Sequence, residues 1–567
     1  MVVCERRGIA SVVVGLVVAL AFLVPGRAAA QWTSVAPGIE YAEFTEPGPN
    51  RVFVTRMARA EETAIVDTMI GQGRLLGGRE TVSGMVRRYD DTIGFWGREW
   101  GQRYDVVAAI NGSFFNLDTA AFDGLVIGGS YASRFGNMGG GSGFVWTLNR
   151  DAFLGGCVHH PPDRQFVTFA DGTTTLELNG INTSRGGDAL VLYTLHDGAR
   201  TPTDGSGIEV DVALEQPLLI HPRPSTVSGT AVAVRDGAGA TEVFFDHVIL
   251  SAAGSAAATV RGNVAVGDTI GISQELANYA RDCSTRRGDD WTNAYASVAG
   301  WPPVLEDGTV VASGDAAVHP RTAIALNDSH VFFVVVDGRS GVSVGMTLDA
   351  LGSFCRDRLG ATWATNQDGG GSSTLWVNGE IKNSPSDGSE RAVANGAMMV
   401  HLLPAERSSA LGVDDTVETT SSATLRLGPG DNYPEHDTVG AGAAGRVLPH
   451  PANGLLARGA HWWLCELGGT SGWADETALR RTGTSADADA DAGDAGGADA
   501  DADAPVTPDS VDVPRDADGG RPDVLLPPGD DGGGCGCRTA DARGAGPFAV
   551  LVFAVVLVRL RRRRPDR

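Results

Sequence analysis

Val331–Val336 is an unbroken apolar run that Asp337-Gly338 closes at once, and no other feature limits the fold as much. A continuous β-branched and aromatic run of this length reads as a strand buried on both faces. Thr347–Gly360 then reads as a helix, with Thr347 as N-cap and Leu348, Leu351, Cys355 and Leu359 on one face. Ala361–Thr365 returns to the sheet, and Asp368-Gly369-Gly370-Gly371-Ser372-Ser373 comes directly after it. Asn378-Gly379, between Trp376 and Ile381, is a two-residue hairpin signal.

Asp337 and Asp368 are therefore expected just past the ends of adjacent strands, each followed by glycine, with Arg321 and Arg339 in the same neighbourhood. Glycines clear side chains away so that backbone N–H groups can approach an oxygen-rich ligand. An anion held beside a carboxylate suits chemistry that moves a proton next to developing charge. The GxxxxGK[ST] spacing is absent, so this is not a nucleotide phosphate loop. Spacing alone leaves a plain glycine-rich turn with ordinary surface charges equally open.

The length of 567 residues and 42% hydrophobic content leave room for more than one domain. The net charge of -24 is half accounted for by one tail, where 14 aspartates stand against two arginines between Asp487 and Asp531. The remainder is mildly acidic, which argues against a nucleic-acid partner. Arg6 and Arg7, the apolar run Ile9–Val24 and Ala28-Ala29-Ala30 mark residues 1–30 as a secretion signal. Cys157, Cys283, Cys355 and Cys465 are too scattered for a zinc site and too few for a disulfide scaffold. Cys355 is expected as a buried thiol, and a Cys157–Cys283 bridge stays open.

Residues 31–105 read as antiparallel strands, and Asp105–Ile110 is a strand leading into Asn111-Gly112-Ser113-Phe114-Phe115-Asn116. There Asn111 offers amide hydrogen bonds and Phe115 an apolar wall for a sugar face, against the alternative of a core aromatic pair beside a structural Asn. Asn137–Gly143 is a flexible loop. Leu176–Tyr193 reads as a hairpin whose Asn182, Arg185 and Tyr193, with Glu209, are architectural first. Residues 210–275 read as further short strands.

HPRTAIAL (His319–Leu326), VVVDGRSGVSVGMTLDAL (Val334–Leu351), ATNQDGGGSSTLWVNGEIKNSPSDGSER (Ala364–Arg391) and AAINGSFFN (Ala108–Asn116) together resemble the phosphodiester glycosidase family, that of N-acetylglucosamine-1-phosphodiester α-N-acetylglucosaminidase. The resemblance covers most of residues 35–405 and implies hydrolysis of a sugar-1-phosphodiester to free sugar and phosphomonoester. It implies Asp337, Asp368 and Arg339 as catalytic residues, and Asn111, Phe115, Arg321, Thr322, Gly369, Gly370, Gly371 and Ser372 around the substrate. Arg321, Arg339 and the Gly369–Gly371 amides would hold the phosphate. Asp337 or Asp368 would orient water or stabilise an oxocarbenium-like centre, with the division between them open. No cofactor is expected; a divalent metal between the two carboxylates is not demanded by any ligand spacing. Ala299-Gly300-Trp301-Pro302-Pro303 departs from the family, where glycines precede a single proline, so sugar specificity is left open.

After Pro404 the composition shifts. Leu425-Arg426-Leu427-Gly428-Pro429-Gly430, Tyr433, Trp462-Trp463 and Gly472-Trp473 resemble a bacterial SH3-like domain, which implies a small β-barrel that binds cell-wall peptides or glycans, unless its tryptophans are core. The Asp-Ala repeats beyond it cannot bury a core and read as a self-repelling linker. Gly534-Cys535-Gly536-Cys537, the apolar run Pro547–Val558 and Arg561–Arg564 resemble the C-terminal sorting tails of myxobacterial surface proteins. A plain membrane anchor with positive-inside arginines is the alternative.

The expectation is thus an α+β fold: a signal peptide (1–30), a large mixed-sheet catalytic domain with flanking helices (31–405), an all-β SH3-like barrel (420–482), a disordered acidic linker (483–533) and a sorting or transmembrane tail (534–567). The protein would be a secreted hydrolase tethered to the cell surface or outer envelope, acting on a glycan or sugar-phosphate substrate. The competing reading is a non-catalytic surface protein that binds cell-wall polysaccharide with the same cleft. A phosphodiesterase cutting the P–O bond would use the same residues.

Overall fold

The computed structural model describes residues 31–97, 99–119, 124–131, 142–156, 158–159, 164–219, 227–278, 291 and 293–484. The signal segment, the Cys157–Cys283 pair, most of the Asn137–Gly143 loop and everything from residue 485 onward lie outside them. Strands dominate, with three α-helices among the described residues, in keeping with an α+β class.

The run Val331–Val336 lies in strand His330–Val336, near the centre of an eight-stranded sheet. On one side it pairs with Asn50–Ala58 and on the other with Arg321–Leu326, both antiparallel. Alternate side chains point to opposite faces of a strand. Here Val331, Phe333 and Val335 enter one core while Phe332, Val334 and Val336 enter another. Burial on both faces explains the absence of polar alternation in the sequence.

Helix Leu348–Leu359 covers the second face. Thr347 Oγ1 accepts from the Ala350 N–H at 3.1 Å, and Gly360 ends the helix at φ 64°. Leu348, Leu351, Phe354, Cys355 and Leu359 are buried against the sheet, each apolar side chain worth roughly 1.5–3 kcal/mol of transfer free energy. Cys355 is a free, buried thiol, and burial pushes its pKa up to about 12.

Against the first face packs a second sheet, in which Glu99–Asn111 is flanked by Leu375–Val377 and Asn395–Leu403, with Ala64–Ile70 beyond. Helix Val82–Tyr89, capped by Thr81, adds Val82, Met85 and Val86 to the shared core. The stretch 31–105 is therefore not all strand. The Asn378-Gly379 turn joins Leu375–Val377 to Glu380–Ile381 with both residues at positive φ.

A further eight-stranded sheet holds Val227–Asp236, Ile208–Leu214, His247–Ala252 and Leu190–Tyr193. Two expectations are corrected there. Gly180–Ile181 pairs parallel with Val191–Leu192, so 176–193 is not a hairpin. Gly254–Asn263 is a helix burying Ala256, Ala257 and Val260; it has no side-chain cap and little amphipathic contrast, so alanine propensity was its only signal. Asn182, Arg185, Tyr193 and Glu209 are spent within this sheet, on Thr194, Ser251, the Thr183 carbonyl and Ser251 respectively.

Thr416–Gly483 forms its own β-sheet. Trp462, Trp463 and Trp473 are all buried, at 4%, 3% and 1% exposure. None of the three is a surface platform, because the sheet is too small to fold without them. Trp462 and Trp473 share a core with Ile93, and Trp100, Phe244 and Phe245 of the main body pack on it. His450 Nε2 lies 2.7 Å from Asp246 Oδ2, and the Phe245 N–H donates to the Leu427 carbonyl at 2.9 Å. Among the described residues no helix is long and apolar enough to cross a membrane.

Candidate functional site

Strands His330–Val336 and Trp363–Asn366 are not adjacent as the spacing predicts, because Arg321–Leu326 lies between them and pairs antiparallel with both. The outer two therefore run in the same direction. Arg321 opposes Val336, and Ala323 opposes Asn366, so Asp337 and Asp368 still leave the sheet at one edge. Two strand spacings put their backbones on the order of 10 Å apart, which leaves room for a ligand between them.

The Asp368 turn is stitched to the second sheet. The Asp368 N–H donates to the Gly112 carbonyl at 2.9 Å, and Asn111 Nδ2 donates to the Asp368 carbonyl at 2.6 Å. Asn111 Oδ1 accepts from Thr322 Oγ1 at 2.9 Å and from the Thr374 N–H at 3.1 Å. Asn111 and Thr322 are fully buried, so they position the turn instead of meeting substrate. Arg321 is also turned inward, its Nε donating to the Met346 carbonyl and its Nη2 to the Ala317 carbonyl, each at 2.9 Å. Phe115 packs on the core, and it is Phe114 that stands 51% exposed.

The three glycines do something other than present a row of free amides. The Gly370 N–H donates to the Pro320 carbonyl at 2.9 Å, and the Gly369 N–H lies against the Asp368 carboxylate. Their missing side chains instead make room for two guanidinium groups. A Cβ on Gly370, which sits at φ 64°, would lie 3.0 Å from Arg339 Nη2, and one on Gly371 would run into Arg391 Nη2 and the Asp387 carboxylate. Arg339 itself is held at φ 59°, a left-handed conformation that a side chain adopts only at some cost. It is exposed, with Ser386 Oγ 3.4 Å from its Nη1.

The two carboxylates have different surroundings. Asp368 Oδ2 accepts from Ser372 Oγ at 2.6 Å, and Ser372 Oγ accepts in turn from Arg391 Nη1 at 3.3 Å. Arg391 is fixed by Asp387 Oδ2, 2.9 Å from Nε and 2.7 Å from Nη2. Asp337 is 3% exposed; its Oδ1 accepts from the Ser384 N–H at 2.8 Å and from Asn383 Nδ2 at 3.4 Å, and its buried Oδ2 has no hydrogen-bond partner. Burial raises the pKa of both carboxyls above the ordinary carboxylate value.

Arg391, Asn383 and Ser384 complete the site and carry no local signal, because they lie in an irregular segment between strands Glu380–Ile381 and Asn395–Leu403. Trp301, the departure from the family pattern, is 52% exposed; its N–H donates to the Asn366 carbonyl at 2.8 Å and its carbonyl accepts from Asn366 Nδ2 at 2.9 Å, two residues from Asp368. Among the described residues no group of three or more His, Cys, Asp or Glu is placed to hold a metal ion.

Residues 226–400 match the family model described as phosphodiester glycosidase. The matched span contains Asp337, Arg339, Asp368 and Arg391, whereas Asn111 lies outside it and is joined to it by the hydrogen bonds above. No curated protein matches this chain in sequence. Among solved structures, a hypothetical protein from Synechocystis is 16% identical with a TM-score of 0.42, the match covering 66% of this chain and 64% of that one. A putative exported protein from Burkholderia pseudomallei K96243 is 21% identical with a TM-score of 0.39, over 63% of this chain and 74% of its own. The catalytic domain of zebrafish N-acetylglucosamine-1-phosphodiester alpha-N-acetylglucosaminidase, auto-inhibited by its pro-peptide, is 13% identical with a TM-score of 0.29, over 66% and 87%. Likenesses this distant bear on neither mechanism nor substrate.

Proposed function

We propose that the protein is a secreted hydrolase that cleaves a sugar-1-phosphodiester on the glycosidic C–O side, releasing free sugar and a phosphomonoester. The observation that carries this reading is the chain Asp368–Ser372–Arg391, set beside the exposed guanidinium of Arg339 within the family-matched span. Arg339 binds the phosphodiester, and its fixed charge stabilises the phosphate as it leaves. Asp368, the more accessible of the two carboxylates, faces the anomeric centre, stabilises positive charge there and takes a proton from the attacking water. Asp337 holds Asn383 and Ser384 in place and so shapes the far wall.

The N-terminal apolar segment supports secretion, and the acidic stalk with its cysteine and arginine tail supports tethering at the cell surface. Assay of the purified chain on a sugar nucleotide such as UDP-N-acetylglucosamine, a diphosphate diester with one ester oxygen on the sugar anomeric carbon, tests the activity. Release of free sugar that Asp368→Asn abolishes is expected. Saturable binding of the sugar nucleotide without turnover would instead favour a binding protein built on the same cleft.

A further inference from the structure

Among the described residues only two of the Phe, Tyr and Trp side chains are exposed, Trp301 and Phe114. A single exposed ring needs no explanation, since much of any protein surface is apolar. Here two separate segments of the chain bring both rings to one place, the Asp368 turn.

Trp301 follows strand Ala294–Gly300. Its two hydrogen bonds with Asn366 are joined by a third, from the Asn366 N–H to the Pro302 carbonyl at 3.0 Å. A Cβ on Gly300 would lie 2.6 Å from both Gln367 Nε2 and Thr365 Oγ1, so the strand end packs directly on the chain entering the turn. Asp368 lies two residues beyond Asn366, no more than about 7 Å of chain. Phe114 reaches the turn by another route. It stands two residues past Gly112, whose carbonyl accepts from the Asp368 N–H at 2.9 Å. Ser113 between them is buried, its N–H donating to Asn395 Oδ1 at 2.7 Å and its Oγ at 3.2 Å. A Cβ on Gly112 would lie 3.1 Å from Val298 Cγ2, so the segments that carry the two rings pack against each other.

The backbone beneath each ring is thus fixed, while the ring itself is left to solvent beside the carboxylate. An aromatic face carries the negative side of its quadrupole. It repels a phosphate, which the guanidinium of Arg339 serves in any case. It attracts C–H bonds made partly positive by neighbouring oxygens, and these cover the face of a pyranose. Rings rooted this close to Asp368 are within a side chain's reach of a sugar held there.

We propose that Trp301 and Phe114 form the platform on which the sugar ring of the substrate stacks, with Trp301 the larger contributor. The two residues then set the site's preference for a pyranose over a phosphodiester that carries no sugar. The proposal rests on the hydrolase reading for the position of the sugar, whereas its test measures binding without turnover.

The test is calorimetric titration of the full chain carrying Asp368→Asn with two probes, UDP-N-acetylglucosamine and UDP, which lacks the sugar. In that background Trp301→Ala is expected to weaken binding of the sugar nucleotide by roughly 3–10-fold, the scale of one aromatic contact, and to leave binding of UDP unchanged. Trp301→Phe should recover most of the loss, and Phe114→Ala should show a smaller loss of the same kind. A thermal melt of each variant checks folding. Undiminished binding of the sugar nucleotide in Trp301→Ala would overturn the proposal. So would an equal loss with UDP, which would place the ring on the nucleotide, or failure of the parent to bind the sugar nucleotide at all. The hydrolase reading is judged apart, by release of free sugar from the wild-type chain. Sugar-dependent binding without release would remove the enzyme and keep the platform, and release with binding indifferent to Trp301→Ala would do the reverse.

Discussion

The Ser372 hydroxyl donates to Asp368 Oδ2 over 2.6 Å, and Ser372 Oγ itself accepts from Arg391 Nη1 at 3.3 Å. A single serine thereby connects the carboxylate to a guanidinium that the sequence pattern does not single out. The hydrogen bond favours the ionised carboxylate and opposes the effect of burial.

Ser372→Ala removes that bond. If Asp368 must be ionised to act, the acid limb of kcat/KM should move to higher pH, because the group loses a donor that had lowered its pKa. We expect kcat to fall about tenfold at neutral pH, against about 10²-fold or more for Asp368→Asn. A pH–rate profile reads both effects, and an unshifted acid limb in Ser372→Ala would assign that limb to another group.

Arg339 is exposed and lies over Gly370, so it is free to meet a phosphate. Arg339→Lys keeps the charge and loses the planar fork. KM for a sugar-1-phosphodiester should rise about tenfold with kcat changed less. Steady-state kinetics measure the split, and an unaltered KM would remove Arg339 from the binding site.

Asp67 is fully buried, accepting from the Thr68 and Gly128 N–H groups and from the Tyr104 hydroxyl, with its pKa raised to about 7. Its unfolded value is about 3.9. The folded protein therefore binds the proton more tightly than the unfolded chain, and stability declines as pH rises from about 4 to about 7. Asp67→Asn preserves the hydrogen bonds, with Nδ2 donating to Tyr104, and never ionises. Its Tm should match the wild type near pH 4 and exceed it increasingly towards pH 8. Parallel Tm–pH curves would contradict the assignment.

The C-terminal sheet shares a core with the body formed by the preceding residues. Cutting after residue 405 removes Trp462 and Trp473 from Ile93, Trp100, Phe244 and Phe245, at a cost of several kcal/mol by apolar area. Calorimetry should show one transition for the chain through residue 484 and a melt lowered by about 10 °C or more for the truncated form. An unchanged melting temperature would make the C-terminal sheet an independent appendage.

Features set by local chemistry were legible in the sequence. Thr347 caps its helix, Asn378-Gly379 turns its hairpin, and Val331–Val336 is buried on both faces. Strand order was not, because nothing in the run itself says that Arg321–Leu326 inserts beside it. The two aspartates were correctly brought to one edge for a reason the spacing did not contain. Asn111 and Thr322 are buried braces of the Asp368 turn, a role that depends on which partner each amide and hydroxyl finds. Arg391 lies in irregular chain, where no periodicity marks a residue. The tryptophans of the C-terminal sheet show the same limit, since an aromatic pattern does not tell a binding face from a seam.

The most direct test of the central claim is turnover of a sugar-1-phosphodiester in ¹⁸O-labelled water. Cleavage of the glycosidic C–O bond puts the label in the released sugar and none in the phosphomonoester, and Asp368→Asn should abolish that incorporation. Label found in the phosphate and not in the sugar would mean P–O cleavage and would contradict the glycosidase assignment.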